Sequence, residues 1–313
     1  MKPVNGYIAL IINTKSGASS NKPIVNKFIE YLQQNNYKTK IDYVESMSHA
    51  RTLAADAAVK YDCSVVIVAG GDGTIREVIQ GLEGSDKPLM IIPCGTENLL
   101  ANELGYKMTL KNAISTLESQ ISRPLDLGKA NNNFFTSVGG IGFDGEVVKL
   151  VDDQRKGNIT QLHYFLPIWK TFWSYTFPKI TVEVDDKVVF SDRGIVIFGN
   201  ISRYAIGLPL LRLADIGDGL LDICIYRCSN KITLLYYSLL TIFKSHCKSK
   251  NVIYKQCRKF KIYSDSFIRT ELDGDPGPDL PIEVTIIPQA VKVLVPPKSK
   301  PVGMKKRFFK IFK

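Results

Sequence analysis

The most restrictive feature of this chain is a five-residue run, Gly70-Gly71-Asp72-Gly73-Thr74, set between two strong patterns. Val65 to Ala69, just before it, is wholly apolar, as in a strand buried on both faces. Ile75, Val78, Ile79 and Leu82, just after it, recur at helical spacing. Adjacent glycines let a backbone bend tightly and approach a ligand without Cβ interference. The amides of such a turn, added to a helix N-terminus, form a site for phosphate. Asp72 adds a carboxylate where phosphates and a divalent cation would meet. A plain strand-to-helix turn is the competing reading, but it needs neither three glycines nor an embedded acid. The run is not a Walker loop, lacking the lysine, and not a dinucleotide fingerprint, lacking the third spaced glycine.

The same alternation of strand and helix continues through the first 125 residues. Strands are expected at Tyr7 to Ile12, Lys38 to Val44, Val65 to Ala69 and Leu89 to Ile92. Helices are expected after Pro23, after a cap at Ser48, after the glycine run, after Gly95 and around Leu110 to Leu117. This predicts an α/β N-terminal nucleotide-binding domain, a parallel sheet with helices on both faces, over residues 1–125. Beyond Arg123-Pro124 strand signals dominate, from Phe134 to Val138 through to Val291 to Val295, interrupted by helical stretches near 145–176 and 231–246. A mainly antiparallel β-sandwich C-terminal domain is therefore expected over 126–297, followed by a basic aromatic tail at 298–313.

Composition sets bounds on the reading without choosing among partners. The chain has 313 residues, 45% of them hydrophobic, and a net charge of +11, which suits a folded protein that attracts something anionic. Six scattered cysteines with no CxxC fit free thiols in a reducing compartment. Three separated histidines argue against a histidine metal cluster. No signal peptide is read at the start, and no apolar run is long enough to span a bilayer.

Two further loops fall at expected strand ends. Pro93-Cys94-Gly95-Thr96-Glu97-Asn98 follows the fourth strand and opens a helix, with Thr96 and Asn98 offering polar groups. Asn13-Thr14-Lys15-Ser16-Gly17 follows the first strand. Ligands of open α/β sheets bind at the carboxyl ends of strands, so the loops would share one site. Alone, either is an ordinary loop or helix cap.

Taken in order, these pieces resemble the diacylglycerol kinase catalytic family, which includes bacterial lipid kinases, sphingosine kinases and ceramide kinases. Matching segments are Asn13 to Gly17, Gly70 to Val78 with Glu77, Gly95 to Asn98, Gly140 to Asp144, Asp218 to Leu221 and Asp273-Gly274-Asp275-Pro276. The resemblance implies an ATP- and Mg²⁺-dependent lipid kinase with its active site between two domains. The implied ATP-binding residues are Asn13, Lys15, Ser16, Gly17, Gly70, Gly71, Asp72, Gly73, Thr74, Glu77, Gly95, Thr96 and Asn98. Catalytic roles fall to Asp72 and Asp275, the latter as general base toward the lipid hydroxyl, with Asp273 as a second carboxylate. Asp215, Asp218 and the Leu220 carbonyl match a structural Mg²⁺ site, and Asp126 an acid of the metal network.

Two positions depart from the family pattern. Asp275 replaces a glutamate and is shorter by one methylene, about 1.5 Å. Leu99 stands where many members carry an aspartate. Three alternatives stay open: a sphingosine- or ceramide-type lipid kinase, an NAD-kinase-like soluble kinase, which shares the glycine loop, and, because of these two departures, a catalytically silent nucleotide or lipid binder. The tail, Met304 to Lys313, alternates cations with large apolar residues, as in an interfacial anchor on an anionic membrane surface. A basic disordered tail is its plain reading. The aromatic stretch Tyr164 to Phe177 is read as core or as a lipid slot. Nucleic acid is not expected as a partner, since no recognition motif accompanies the charge. A homodimer is left open, and the expected location is cytoplasmic and peripheral to the membrane.

Overall fold

A computed structural model describes residues 6–16, 22–154, 162–204 and 207–297. The first third alternates as expected: β1 (Tyr7–Ile12), α1 (Lys22–Gln34), β2 (Lys38–Tyr43), α2 (Met47–Ala58), β3 (Cys63–Gly70), α3 (Asp72–Gly81), β4 (Leu89–Pro93), α4 (Leu99–Glu103) and α5 (Leu110–Ser119). Strands β2, β1, β3 and β4 lie side by side in that order, all parallel. Parallel pairing needs a crossover between consecutive strands, and the helices supply it. All but one residue of β3 is buried, which is why its sequence is an unbroken apolar run rather than an alternating one. Helix α2 is capped by Ser46, not by Ser48: Ser46 is extended, and its hydroxyl accepts from the His49 amide at 3.2 Å.

The remainder is β5 (Ser122–Ala130), β6 (Asn133–Phe135), β7 (Val138–Ile141), α6 (Phe143–Asp153), α7 (Leu162–Ser174), β8 (Lys179–Val184), β9 (Lys187–Gly199), β10 (Leu221–Arg227), α8 (Lys231–Ile242), β11 (Val252–Cys257), β12 (Lys259–Tyr263), β13 (Thr270–Leu272), β14 (Asp275–Pro276) and β15 (Ile282–Leu294). It forms a β-sandwich. One layer pairs β8, β12, β15, β5 and β6, and the other pairs β7, β10, β11, β13 and β14. Strand β9 passes between them, pairing first with β8 and then with β7 and β10. Phe198 joins the layers: its ring packs edge-on against Phe135 at 5.5 Å and Phe260 at 5.2 Å.

Strand β15 couples the two halves. Its first part belongs to the sandwich, and near its end Val293 pairs in parallel with Leu89 of β4. Strand β5 runs through the expected junction at 125/126 and pairs with β15 on both sides of it. The returning strand thus fixes the loops at the end of the parallel sheet against the turns of the sandwich.

Candidate active site

The two glycine loops touch. The Cys94 amide donates to the Gly70 carbonyl at 2.8 Å. A methyl group added at Gly95 would lie 2.8 Å from the Gly71 Cα, closer than packed carbons approach. Glycine at 95 is therefore what lets these loops meet. Gly71 caps α3 with no side-chain hydrogen bond, leaving the first amides of that helix for a ligand. Asn98 holds the second loop closed: its side chain accepts from the Gly95 amide at 2.7 Å and donates to the Gly95 carbonyl at 2.8 Å. Thr96 is exposed at its rim.

The first loop joins the same place. Asn13 donates to the Thr74 hydroxyl at 2.8 Å and accepts from the Lys15 amide at 2.9 Å, and the Ser16 hydroxyl lies 3.4 Å from that of Thr74. Lys15 is exposed beside them. Gly17 lies outside the described residues. Glu77 bonds to α2 rather than to the loops. It is buried and accepts twice from Arg51 of α2, at 2.8 and 2.6 Å, so it fastens α2 to α3.

Asp72 stands in the first turn of α3. Its Oδ1 is sealed from solvent and has no hydrogen-bond partner. Burial, then the nearby Asp273, push its carboxyl up to about 6, while the amides of Leu100, Leu99 and Asn98 pull the other way. A buried carboxylate oxygen without a partner is costly, and a hydrated divalent cation would satisfy it. Asp72 thus fits a Mg²⁺ carried in with a triphosphate.

The sandwich contributes the opposite wall. Asp273, with φ at 53°, and Gly274, with φ at 81°, turn the chain sharply before Asp275. The Asp273 side chain is only 2% exposed, and its carboxylate accepts from the amides of Thr136, Ser137 and Val138 at 2.8, 2.8 and 3.2 Å. Its oxygens are engaged in holding the turn, so they are not presented to an acceptor as a second base would require. Glu271 adds a further tie, accepting from the Gly274 amide at 2.9 Å. Asp144 lies beside Glu271, and burial raises both carboxyls above their ordinary range. The Tyr204 hydroxyl donates to Asp144 at 2.6 Å.

Asp275 reaches across to α3. Its Oδ2 accepts from Nη2 of Arg76, in α3, at 2.9 Å. Sequence reasoning missed Arg76, because within the glycine motif it occupies a variable spacer position between Thr74 and Glu77. The signal available was an isolated cation one turn into a helix whose start holds an acid.

Asp126, Asp215, Asp218 and Leu220 gather around a different loop. The Asp126 carboxylate accepts from the amides of Gly219 and Gln289, both at 2.7 Å. Asp218 accepts from the Leu220 amide at 3.0 Å, and Asp215 lies 3.8 Å from Arg123. Burial pushes the Asp218 carboxyl up to about 6, with Asp215 and Asp126 adding repulsion. Among the described residues no three His, Cys, Asp or Glu side chains are grouped so as to hold a metal ion. Asp126 here acts as a strut between the 216–219 loop and the bulge of β15, with its oxygens directed at amides.

Comparison with known proteins agrees with this layout. Residues 7–130 match the model of the diacylglycerol kinase catalytic domain, and residues 137–295 that of the YegS C-terminal NAD kinase beta sandwich-like domain. The chain is 26% identical to the diacylglycerol kinase of Bacillus subtilis over 92% of its own length and 95% of that protein's. It is also 26% identical to the diacylglycerol kinase of Staphylococcus haemolyticus, over 92% and 87%. The crystal structure of a diacylglycerol kinase from Bacillus anthracis superposes with a TM-score of 0.71 at 20% identity, covering 96% of this chain and all of that one. That likeness shows the fold.

Proposed function

The chain belongs to the diacylglycerol kinase catalytic-domain family, and from that premise we propose that it transfers the γ-phosphate of ATP to the hydroxyl of diacylglycerol or a related membrane lipid. One observation carries the reading. A carboxylate from the sandwich, Asp275, faces a helix whose N-terminus is built to receive phosphate. Phosphoryl transfer asks a protein chiefly for positioning and charge neutralisation. The amides of Gly71 to Thr74 and the Gly95 loop would bind the triphosphate, with Asn13 and Thr74 fixing the loops to each other. Asp72 would hold Mg²⁺, which when bound neutralises charge on the phosphates. Asp275 would accept the proton of the attacking hydroxyl, either directly within about 3 Å or through one water.

The acceptor would be met at a membrane surface. Helix α7 exposes Phe165, Leu166, Trp169 and Trp173, and α8 exposes Ile232 and Leu239. Lys231 links the two helices, its ammonium 5.3 Å from the Trp173 ring centre. Exposed apolar rings beside cations suit an interface with anionic lipid. Tyr164, at the start of α7, comes close to the turn that carries Asp275: a methyl at Gly274 would be 3.9 Å from its hydroxyl. The basic tail assigned to the same surface lies outside the described residues. Among those described, no helix is long and apolar enough to cross a membrane. The reading implies a cytoplasmic protein, peripheral to the membrane.

The test is an acceptor panel. Purified protein is given labelled ATP, Mg²⁺ and mixed micelles of diacylglycerol, sphingosine or ceramide, with NAD in a parallel tube. Label entering diacylglycerol supports the reading. Label entering NAD alone refutes it, and ATP binding without transfer to any acceptor favours a silent binder.

A further inference from the structure

Asp275 stands at the edge of the site on a short side chain. Its carboxylate stands on a single methylene, and the side chain is 42% exposed on a strand of two residues. A short carboxylate at a solvent-facing rim would sample several rotamers, whereas a base must hold one. Arg76 spans the gap. Its side chain is only 15% exposed and meets Asp275 Oδ2 at 2.9 Å. The guanidinium is itself held, with Nη1 3.9 Å from Asp273 Oδ2 and Nε 4.0 Å from Glu77 Oε1. Glu77 is anchored in turn by Arg51. A chain of alternating charges therefore runs from α2 through α3 to the β14 carboxylate.

We propose that Arg76 is the positioning residue of the transfer reaction, holding the short Asp275 carboxylate across the cleft in the orientation that receives the acceptor's proton. The proposal rests on the lipid-kinase reading above. Arginine suits this role because its planar fork binds a carboxylate in a fixed orientation, while lysine offers a point charge on a flexible stem. The Arg76 contact is made to Oδ2, so it fixes the carboxylate without itself occupying Oδ1. The cation also binds the C-terminal half to the helix that begins at the phosphate loop, so nucleotide and base share one support.

The experiment is a mutant cycle with a second readout independent of turnover. Arg76→Met should lower kcat about 30-fold, the scale of a misplaced catalytic group, with KM for ATP changing less than about twofold. Arg76→Lys should recover part of the loss. In an Asp275→Asn background, Arg76→Met should change kcat less than about twofold, since no carboxylate is left to position. Equal losses in both backgrounds would overturn the proposal, because Arg76 would then act without Asp275. A higher KM for ATP at unchanged kcat would overturn it as well. Carbon-13 labelling of aspartate carboxyls, with Asp275→Asn for assignment, follows the carboxylate directly. The Asp275 resonance should move in Arg76→Met, and an unmoved resonance overturns the proposal whether or not any lipid is phosphorylated. A moved resonance in a protein that phosphorylates no lipid supports the positioning contact and refutes the lipid-kinase reading instead.

Discussion

Replacing Asp72 by asparagine should stabilise this protein while disabling it. Burial, aided by Asp273, raises the Asp72 carboxyl from its ordinary 3.8 to about 6. The folded chain therefore holds this proton more tightly than the unfolded chain does. That contribution favours folding fully below pH 4 and fades as pH rises through about 6. An upward displacement of this size means that the ionised group opposes folding by about 3 kcal/mol near pH 8. Asp72 is only half-buried as a residue, which reduces that figure. Asparagine keeps one acceptor for the amides of Leu99 and its neighbours but loses the other. A net gain of about 1–2 kcal/mol at pH 8 is expected, or a rise in Tm of about 2–6 °C. The gain should shrink by at least half at pH 5, where the wild-type carboxyl is mostly protonated. Thermal unfolding of both proteins at pH 5 and 8, without nucleotide or Mg²⁺, measures it. A variant less stable at pH 8, or one whose gain is the same at both pH values, would refute the reasoning.

Three further outcomes are expected. Gly95→Ala should weaken ATP binding at least about 10-fold in titration calorimetry, because its methyl would meet backbone, the Gly71 Cα, at 2.8 Å; unaltered affinity would show that the loops need not touch. The only tryptophans, Trp169 and Trp173, both lie exposed on α7, so anionic vesicles should shift the intrinsic emission to the blue. Emission unchanged by vesicles would remove α7 from the membrane contact. Cys247 should be alkylated by iodoacetamide at pH 6.5 ahead of the five buried cysteines, since the hydrogen bond from Cys224, with His246 adding to it, lowers its thiol to about 5. The thiolate is populated above that pH, and labelling no faster than at Cys63 would contradict the assignment.

Much of the N-terminal half was legible because its signals are local. An apolar run that ends in Gly70-Gly71 and resumes as a helical stripe permits little besides strand, turn and helix, and β3 and α3 follow it closely. The sandwich was harder to read where a strand changes partners. Ser191-Asp192-Arg193 interrupt the apolar pattern between Val188 and Ile195, yet β9 continues through them, exposed, as it passes from β8 to β7 and β10. Pro288-Gln289 interrupt the apolar pattern of β15 in the same way. There the bulge, with Gln289 at a φ of 53°, delivers the amide that Asp126 accepts. At the site, the glycine loops, Asn13, Asn98 and Asp72 could be named from spacing and resemblance, since backbone geometry dictates them. Arg76 could not, because its role depends on a carboxylate 199 positions away in sequence. Asp273 misled for the same reason: its position in the motif suggests a second base, but burial against three amides makes it a fastening.

The most direct measurement is phosphoryl transfer from labelled ATP to diacylglycerol in anionic vesicles by wild type and by Asp275→Asn, with ATP affinity determined for both. Wild type should label the lipid, and the variant should bind ATP within about twofold of wild type yet transfer it at least about 100-fold more slowly, the contribution expected of a general base. Full transfer by the variant, or none to any lipid by wild type, would contradict the account.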